Sequence, residues 1–481
     1  MKRKGIWLML LVLSLIIQVQ VSGQEFNYWT QQAGTVASML GGAVTAAPDD
    51  NSAMFYNPGA LGFAENSTFS ISSAGFFFNW ITMKNAIGDN TKLNFSTLDA
   101  LPQLVSASIN IPKNPLDKTA YGILNRQYSN INFSFRNQFT GKFTPGVTND
   151  QVYVGIFTYF NRSREDWAGF AMAKQLTKEL GIGLSTYLSF RTQELAQSTE
   201  KQLYDTKGNP NLVDLYGVST FSQNFKLFDM GLILQFGTSY QREKLKLGFT
   251  VTFPFINIRL FHASSLNRTY ITSVNGVDSL SSTISVWQDK VKSTYKTPFI
   301  IDFGGEFHPG KSTVLFAKVS LFTKVKKYAL LKTGEKSNVL SSHPLTNEGE
   351  LSNLFMANRF LVNGAVAIQQ TVAKGVLINL GFRTDFNYLD RGVLDADTSF
   401  TPGISTWDIY HISSGVIVKM KKIDLNVGLS YSFGNETNLT NYFDLNDPTL
   451  VPAHSLSSTR GKAAFNQIGL LLGFTYYFSN M

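Results

Sequence analysis

Long stretches of this chain alternate between large apolar side chains and small or polar ones, and this period of two restricts the fold most. In 423–433 the odd-numbered positions are mainly Leu, Val, Ile and aromatic residues, whereas the even-numbered positions are Asp, Asn, Gly and Ser. The segments 245–253, 375–386 and 468–478 follow the same pattern. A soluble β-sandwich also alternates, but it does not usually keep its large side chains on one face of so many long strands. In lipid every backbone group must be paired, so such strands close into a transmembrane barrel.

Composition supports an all-β membrane protein. Of the 481 residues 13% are aromatic and only 16% are charged, against about 25% charged in a typical soluble domain. Apolar runs of about 20 residues, which helical membrane proteins need, do not recur along the chain. The absence of cysteine excludes disulfides, thiolate metal sites and thiol catalysis. We therefore expect an all-β fold, a transmembrane antiparallel β-barrel of about 14 strands.

Residues 1–23 are typical of a cleaved signal peptide. A basic run, Lys2-Arg3-Lys4, precedes an apolar core at 6–17, and Val21-Ser22-Gly23 offers small residues for cleavage. The alternative, a transmembrane anchor, is disfavoured because the apolar core is short and glutamines interrupt it. Removal of residues 1–23 takes away three basic residues and lowers the formal net charge from +9 to +6. This remaining excess suits anionic outer-membrane lipid and lipopolysaccharide, and no basic run indicates nucleic-acid binding. These features predict the outer membrane of a Gram-negative type envelope.

Connection lengths give an independent indication of the topology. From residue 180 onward long and short connections alternate. The long ones are 193–224, 254–297, 326–357, 387–405 and 434–463, and the short ones surround 241–242, 309–310, 373–374 and 421–422. Outer-membrane barrels have short periplasmic turns and longer extracellular loops, so this order also predicts the orientation of the strands.

Strand counting over the predicted barrel domain, 67–481, gives fifteen candidates, one more than an even-stranded barrel allows. We interpret 151–160 and 166–176 as one long, bulged strand, which gives fourteen. Gly155 and Gly169 are the candidate kink positions in this strand.

The segment before the barrel, 24–66, lacks the alternating pattern of a membrane-spanning strand. It is rich in small residues and glycines, which let backbones approach closely, and Asn57-Pro58-Gly59 predicts a tight turn. The segment is too polar and too interrupted to face lipid. We expect it to pack inside the lumen as an N-terminal hatch.

The stretch from Gly41 to Leu61 resembles a known family. It contains Asp-Asp, Ser-Ala, the aromatic pair Phe55-Tyr56 and then Asn57-Pro58-Gly59-Ala60-Leu61. This is similar to the hatch of the outer-membrane transporters of long-chain fatty acids and aromatic hydrocarbons, in which the last five residues are Asn-Pro-Ala-Gly-Leu. Gly59 and Ala60 are therefore exchanged in this chain.

The resemblance implies a function and a set of residues. It implies a fourteen-stranded barrel plugged by its N-terminus, with Asn57, Pro58, Gly59, Ala60 and Leu61 forming the hatch or gate. In such a barrel hydrophobic molecules pass from the extracellular loops to an internal pocket, and then sideways through a gap beside a kinked strand. We therefore expect passive uptake of hydrophobic small molecules such as long-chain fatty acids, by a monomer without a cofactor.

Two other functions stay open at this point. A similar Asn-Pro segment begins related barrels that serve protein secretion or surface attachment, which predicts a protein partner. A general porin would instead conduct ions steadily without a ligand, which a plugged lumen does not favour.

Seven residues are candidates for contact with a ligand. Their side chains are aromatic or basic, and they are Phe55, Tyr56, Phe76, Phe77, Phe78, Arg136 and Arg383. Alternation requires at least one of Phe76–Phe78 to point inward, although the alternative is an aromatic girdle facing lipid. By the same alternation Arg136 and Arg383 face the lumen, where a guanidinium can hold a carboxylate by two hydrogen bonds. The alternative is that lumen charges pair with one another.

Enzymatic signals are weak. The histidines do not fall at metal-ligand spacing. The closest catalytic pattern, His411-Ile412-Ser413, places His411 and Ser413 on one face of a strand but offers no group that would orient the histidine. The sequence therefore predicts no enzyme and no metal site.

Overall fold

The computed structural model describes most of the chain. The described residues are 25–28, 31–48, 50–72, 75–101, 103–110, 118–209, 213–258, 264–274, 282–333, 338–341, 353–394, 402–439, 444–450 and 460–478. The predicted signal peptide, 1–23, lies outside them.

Fourteen antiparallel strands form one closed barrel. Several consist of two or three consecutive segments along one line. The first seven are β1 (Thr68–Ser72, Gly75–Lys84), β2 (Lys92–Leu101, Leu104–Asn110), β3 (Lys118–Gly141), β4 (Gln151–Gln175), β5 (Leu180–Asp205), β6 (Asp214–Gln241) and β7 (Leu245–Thr252, Ile256–Asn257, Ser264–Val274). The others are β8 (Ser282–Ser293, Ile300–Phe307), β9 (Thr313–Phe322, Val325–Lys332, Asn338–Ser341), β10 (Leu354–Asn358, Leu361–Ala373), β11 (Val376–Asp385), β12 (Asp408–Lys419), β13 (Ile423–Leu439) and β14 (Gly461–Tyr477).

The last strand closes the barrel against the first. Ile71 pairs with Phe474 and Gly75 with Leu471, so both segments of β1 lie along β14. No sheet edge is left at this seam, as a membrane-embedded sheet requires.

The two faces of the strands differ as the alternation predicts. On β13 Val427 and Leu429 are 52% and 60% exposed, whereas Asn426 and Ser432, on the opposite face of the same strand, are buried. Large exposed apolar side chains recur around the outer wall. A continuous apolar surface of this kind needs lipid around it.

The prediction of one strand across 151–176 is confirmed by β4. Its pairing with β5 runs without a register shift, and Gly155 and Gly169 lie within the continuous ladder. The bulge lies instead on the neighbouring strand, β3, where Arg126 is an extra residue between Asn125 and Gln127.

The predicted order of long and short connections is confirmed, but most of the long ones are not loops. Strands β5 and β6 continue to Asp205 and from Asp214, deep into the predicted loop 193–224. The predicted loops 254–297 and 326–357 likewise contain segments of β7 to β10. The alternation of large and small side chains weakens beyond the lipid-facing band, so the sequence pattern ends before the strands do.

Short helical turns account for the described helices. They are α1 (Thr35–Met39), α2 (Ala53–Tyr56), a 3-10 turn at Pro58–Phe63 and α3 (Arg391–Leu394). Among the described residues, none of the helices is both long and apolar enough to cross a membrane. The first three belong to the N-terminal segment, residues 25–66, which we call the plug segment.

Candidate functional site: the plugged lumen

The plug segment packs against the inner face of the barrel, and the Asn57 side chain connects the two by hydrogen bonds. Its Nδ2 donates to the carbonyl oxygens of Thr45 and of Thr238 on β6, each at 2.8 Å. Its Oδ1 accepts the backbone N–H of Gly59 at 3.0 Å and so caps the 3-10 turn. Asn57 is completely buried. One side chain therefore joins two parts of the plug segment to the wall.

Gly59 is needed because the barrel backbone lies against it. A Cβ atom at this position would lie 2.7 Å from the carbonyl oxygen of Gly237 and 2.9 Å from that of Gly181. No real Cβ contact is that short, so only glycine fits without a shift of the wall. Ala60 and Leu61 are buried in the same turn. This contact explains why a glycine, Gly59, directly follows Pro58 in this chain.

Glycines on many strands meet the plug segment in the same way. For each, a Cβ atom would fall within 3.2 Å of an atom of the plug segment. They are Gly122, Gly181, Gly183, Gly237, Gly248, Gly304, Gly381, Gly415, Gly428 and Gly473. This glycine belt lets backbone and side-chain atoms of the plug segment lie directly against the wall from β3 round to β14.

The three phenylalanines that follow the plug segment, Phe76 to Phe78, alternate between the outer and inner faces of β1. Phe76 and Phe78 are 42% and 45% exposed on the outer face, whereas Phe77 is buried and packs with Met39 of α1. The lipid-facing alternative is therefore the one the structure supports for Phe76 and Phe78. Phe77 contacts the plug segment.

Phe55 and Tyr56 lie on α2, and each has defined neighbours. The Tyr56 hydroxyl donates to Oε1 of Gln32 at 2.9 Å and accepts the N–H of Ala33 at 3.0 Å, which ties the plug segment to itself. The Phe55 ring is half-buried, with its centroid 5.8 Å from that of Trp167 on β4. Of the two, Phe55 keeps part of its surface accessible, whereas Tyr56 is buried.

The two arginine candidates lie on opposite faces of the wall. Arg383 is buried on the lumen side of β11, as the alternation predicts. The predicted position of Arg136 is wrong, because Arg136 is exposed and its Nη2 donates to Gln138 two residues along the same outer face. The extra residue at Arg126 shifts the alternation by one position, so every later residue of β3 is turned to the opposite face.

Arg126 itself was not predicted, and it reaches into the lumen. Its guanidinium carbon lies 5.8 Å from the ring centroids of both Phe55 and Trp167. Such cation–π contacts stabilise a cation in an aromatic surrounding. A bulge has no marker in a single sequence, so no signal indicated this placement.

The hydrogen-bonded ladder between β2 and β3 covers only part of the two strands. Within the described residues, Leu104–Asn110 of β2 pairs with Lys118–Leu124 of β3, whereas Lys92–Leu101 of β2 pairs only with β1. Ser72 pairs with Leu104, and Leu104 pairs with Leu124, two residues before the bulge. Beyond Asn125 no described residue of β3 pairs with β2, and this break in the β2–β3 ladder, which we call the interruption, is where lateral pairing is weakest.

Gln103 bridges this interruption and touches the plug segment. Its N–H donates to the Ser72 carbonyl at 3.1 Å, and its carbonyl accepts the N–H of Asn125 at 3.2 Å. Its side-chain Oε1 accepts from Ser38 Oγ of α1 at 3.2 Å. One buried residue thus joins β1, β3 and the plug segment.

Other charged side chains that face the lumen form ion pairs with one another, as the alternative to a ligand contact predicts. Lys246 lies 2.7 Å from Glu306, and Lys318 lies 3.1 Å from Asp302. Removing one partner of a buried pair would leave an uncompensated charge. These pairs stabilise the interior and need no ligand.

His411 and Ser413 both face the lumen, but they do not act on each other. The Ser413 hydroxyl donates to the Met39 carbonyl of the plug segment at 3.1 Å, and His411 Nδ1 lies 2.6 Å from Ser432 Oγ. Asp385 Oδ2 is 3.8 Å from His411 Nε2, beyond hydrogen-bonding distance. Within the described part of the chain, no three candidate ligands gather to hold a metal ion.

Comparison with known proteins identifies the fold. A FadL homologue from Pseudomonas aeruginosa is 14% identical, with a TM-score of 0.56 over 94% of this chain and 100% of that one. The toluene transporter TodX of P. putida is 13% identical, with a TM-score of 0.54 over 94% of this chain and 100% of that one. The chain shares the fold of these two proteins. No protein-family profile and no curated protein sequence matches it.

The same fold also occurs in CymD, a monoaromatic hydrocarbon channel. It is 11% identical, with a TM-score of 0.50 over 95% of this chain and 100% of that one. The fold expected from the resemblance of Gly41–Leu61 is therefore confirmed, although identity is low along the whole chain.

Proposed function

We propose that this protein is an outer-membrane channel for passive uptake of hydrophobic small molecules. The observation that carries the proposal is the interruption in the β2–β3 ladder, which lies beside a plug segment that packs against the inner face of the barrel. A blocked lumen prevents free passage of water and ions, whereas a weak place in the wall offers an apolar molecule a route into the lipid. The names of the comparison proteins, a toluene transporter and a hydrocarbon channel, support this direction.

The interior suits an apolar cargo. Aromatic rings continue from Phe55 and Trp167 to Tyr187, with centroid distances of 5.8 Å and 5.2 Å. Sites for small apolar molecules are concave, and they are lined mainly by aromatic and aliphatic side chains with few polar groups. Long-chain fatty acids and small aromatic compounds are the two classes of cargo that this lining accepts.

The exit in this proposal is lateral and depends on the plug segment. Gln103 closes the interruption and is held by Ser38 of α1, so a movement of α1 removes one of its three ties. Cargo in the lumen that displaces α1 then meets a wall whose remaining pairing is weak. The gate residues Asn57 to Leu61 keep the plug segment seated between such events.

Uptake measurements with a plug variant test the proposal. Cells that lack their own carriers would express the wild type, Asn57→Ala and the control Asn435→Ala, which changes an exposed asparagine on β13. We expect uptake of a labelled hydrophobic compound above the empty-vector level for the wild type and the control. Asn57→Ala should alter uptake and produce an ion leak, because the plug segment loses one hydrogen bond to the wall and one within itself. Surface-displayed wild type without uptake of any hydrophobic compound would refute the proposal.

A further inference from the structure

We infer that the lumen contains a carboxylate-binding site which Glu25 of the plug segment fills, and that a carboxylic-acid cargo competes with Glu25 for it. This inference rests on the proposed uptake function and deepens it, because it names an amphipathic acid as the class of cargo. The site is built from β4 and from the described stretch 402–407 that precedes β12.

Four neutral donors converge on the Glu25 carboxylate. Its Oε2 accepts the backbone N–H groups of Ile404 at 2.6 Å and Ser405 at 2.7 Å. Its Oε1 accepts from the Tyr159 hydroxyl at 2.9 Å and from Asn161 Nδ2. Two adjacent backbone N–H groups with a hydroxyl and an amide form a cradle for an anion.

The site is buried, and its donors carry no charge. Glu25, Tyr159, Asn161 and Ser405 are all less than 5% exposed. Within the described residues no lysine or arginine forms an ion pair with Glu25. A carboxylate loses its hydration on entering such a place, so it stays only because the donors replace the lost water.

The donors are held in place by contacts that do not involve the Glu25 side chain. Asn161 Nδ2 and Gln193 Nε2 both donate to the Pro402 carbonyl, at 3.0 Å and 2.6 Å. Asn387 Nδ2 donates to the Ser405 carbonyl at 3.1 Å. The cradle is therefore preorganised, and it would receive the carboxylate of another molecule with the same hydrogen bonds.

An apolar wall continues from the cradle. The Tyr159 ring is 5.6 Å from Phe133, which in turn stacks on Phe95 at 4.9 Å. A molecule whose head occupies the cradle can lay its chain along these rings. The combination of four donors with an adjoining row of aromatic rings selects an acid with an apolar tail.

Exchange of Glu25 for a cargo acid also connects the site to the wall. The Gln127 side chain donates to the Glu25 carbonyl at 2.9 Å, and Gln127 follows the bulged Arg126 directly. When the cargo replaces the Glu25 carboxylate, the start of the plug segment loses its main tie. The strand β3 then loses one of its contacts with the plug segment, beside the interruption.

Binding measurements on the purified full-length protein test this inference. The probes are labelled hexadecanoate and the uncharged alcohol of the same chain length. The variants are Glu25→Ala and Glu25→Gln, with Glu194→Ala as the control, because Glu194 is an exposed acid on β5 paired with Lys226. Removal of the built-in competitor should lower the dissociation constant of the acid about tenfold and leave that of the alcohol unchanged.

A second variant, which changes the cradle itself, tests the inference in the same binding measurement. Asn161→Leu removes a donor from the cradle and should weaken binding of the acid more than binding of the alcohol. If Glu25→Ala does not fold, Glu25→Gln decides, since the amide keeps the shape but turns an N–H toward the donors. A folded Glu25→Gln protein with unchanged affinity for the acid would overturn the inference.

The two proposals fail in different ways. Equal affinity of the wild type and both Glu25 variants for the acid, together with binding of the alcohol, would remove the carboxylate site and leave the uptake function standing. Binding of neither probe to any folded form would remove the uptake function and this inference with it.

Discussion

The Oγ atom of Ser38 on α1 donates to Oε1 of Gln103 at 3.2 Å, and this contact joins the plug segment to the interruption in the wall. Gln103 is 3% exposed and is also hydrogen-bonded through its backbone to Ser72 and Asn125. The plug segment and the end of the β2–β3 ladder are therefore in direct contact. A displacement of one changes the hydrogen bonding of the other.

Replacing Gln103 with alanine should loosen this contact. The hydroxyl of Ser38 would keep the Gly34 carbonyl as an acceptor at 2.8 Å, so the lost hydrogen bond should cost only about 0.5–1.5 kcal/mol of stability. We expect faster uptake of a hydrophobic compound and a lower unfolding temperature. The control is Gln138→Ala, which changes an exposed glutamine on β3. Equal uptake by both variants would show that Gln103 does not hold the gate.

Gly59→Ala should destabilise the folded protein strongly. The new methyl group would meet the backbone oxygens of Gly237 and Gly181 at less than 3 Å, so the turn or the wall must move. Gly310→Ala is the matched control, because a Cβ atom there has no neighbour within 4 Å. Heat-modifiable migration on gels measures the difference. Equal migration temperatures would contradict the close packing of the plug segment.

Labelling of introduced cysteines can test which side chains of β3 face outward after the bulge, since the chain itself has no cysteine. A cysteine introduced as Arg136→Cys should react with a membrane-impermeant maleimide on intact cells, because this position is exposed. Asn137→Cys should react slowly, because Asn137 points inward and contacts Asn446. Reversed reactivities would mean that Arg126 is not an extra residue in the ladder.

The stretch 444–450, between β13 and β14, offers a test of buried charge. The side chain of Lys201 is completely buried, and its ammonium lies 3.8 Å from Asp447. Asp447→Ala would leave the ammonium without that partner and should make this stretch more sensitive to protease. Lys201→Met removes the buried charge, so it should be close to neutral. Equal protease sensitivity of the two variants would argue against this pairing.

The fold could be predicted from the sequence because alternation and turn spacing are local. The faces of β13 and the single strand β4 follow directly from residue order, and the inward position of Phe77 follows from its neighbours. The small residues and the Asn-Pro turn of the plug segment identified which part of the chain does not cross the membrane.

The site was less predictable, because it depends on one inserted residue and on distant contacts. Arg126 turns the later part of β3 to the opposite face, and no residue type marks a bulge in a single sequence. The donors around Glu25 come from positions 134 to 380 residues away along the chain. Only the closed barrel brings them together, so a carboxylate near the start of the chain gave no signal.

Delivery across an asymmetric membrane tests the proposed function most directly. The purified protein would be placed in vesicles whose outer leaflet is lipopolysaccharide, and entry of a labelled hydrophobic compound would be recorded together with ion conductance. We predict that the protein speeds entry of the compound without a steady ion current. Steady nanosiemens-scale conductance, or entry no faster than in protein-free vesicles, would contradict a plugged channel for hydrophobic molecules.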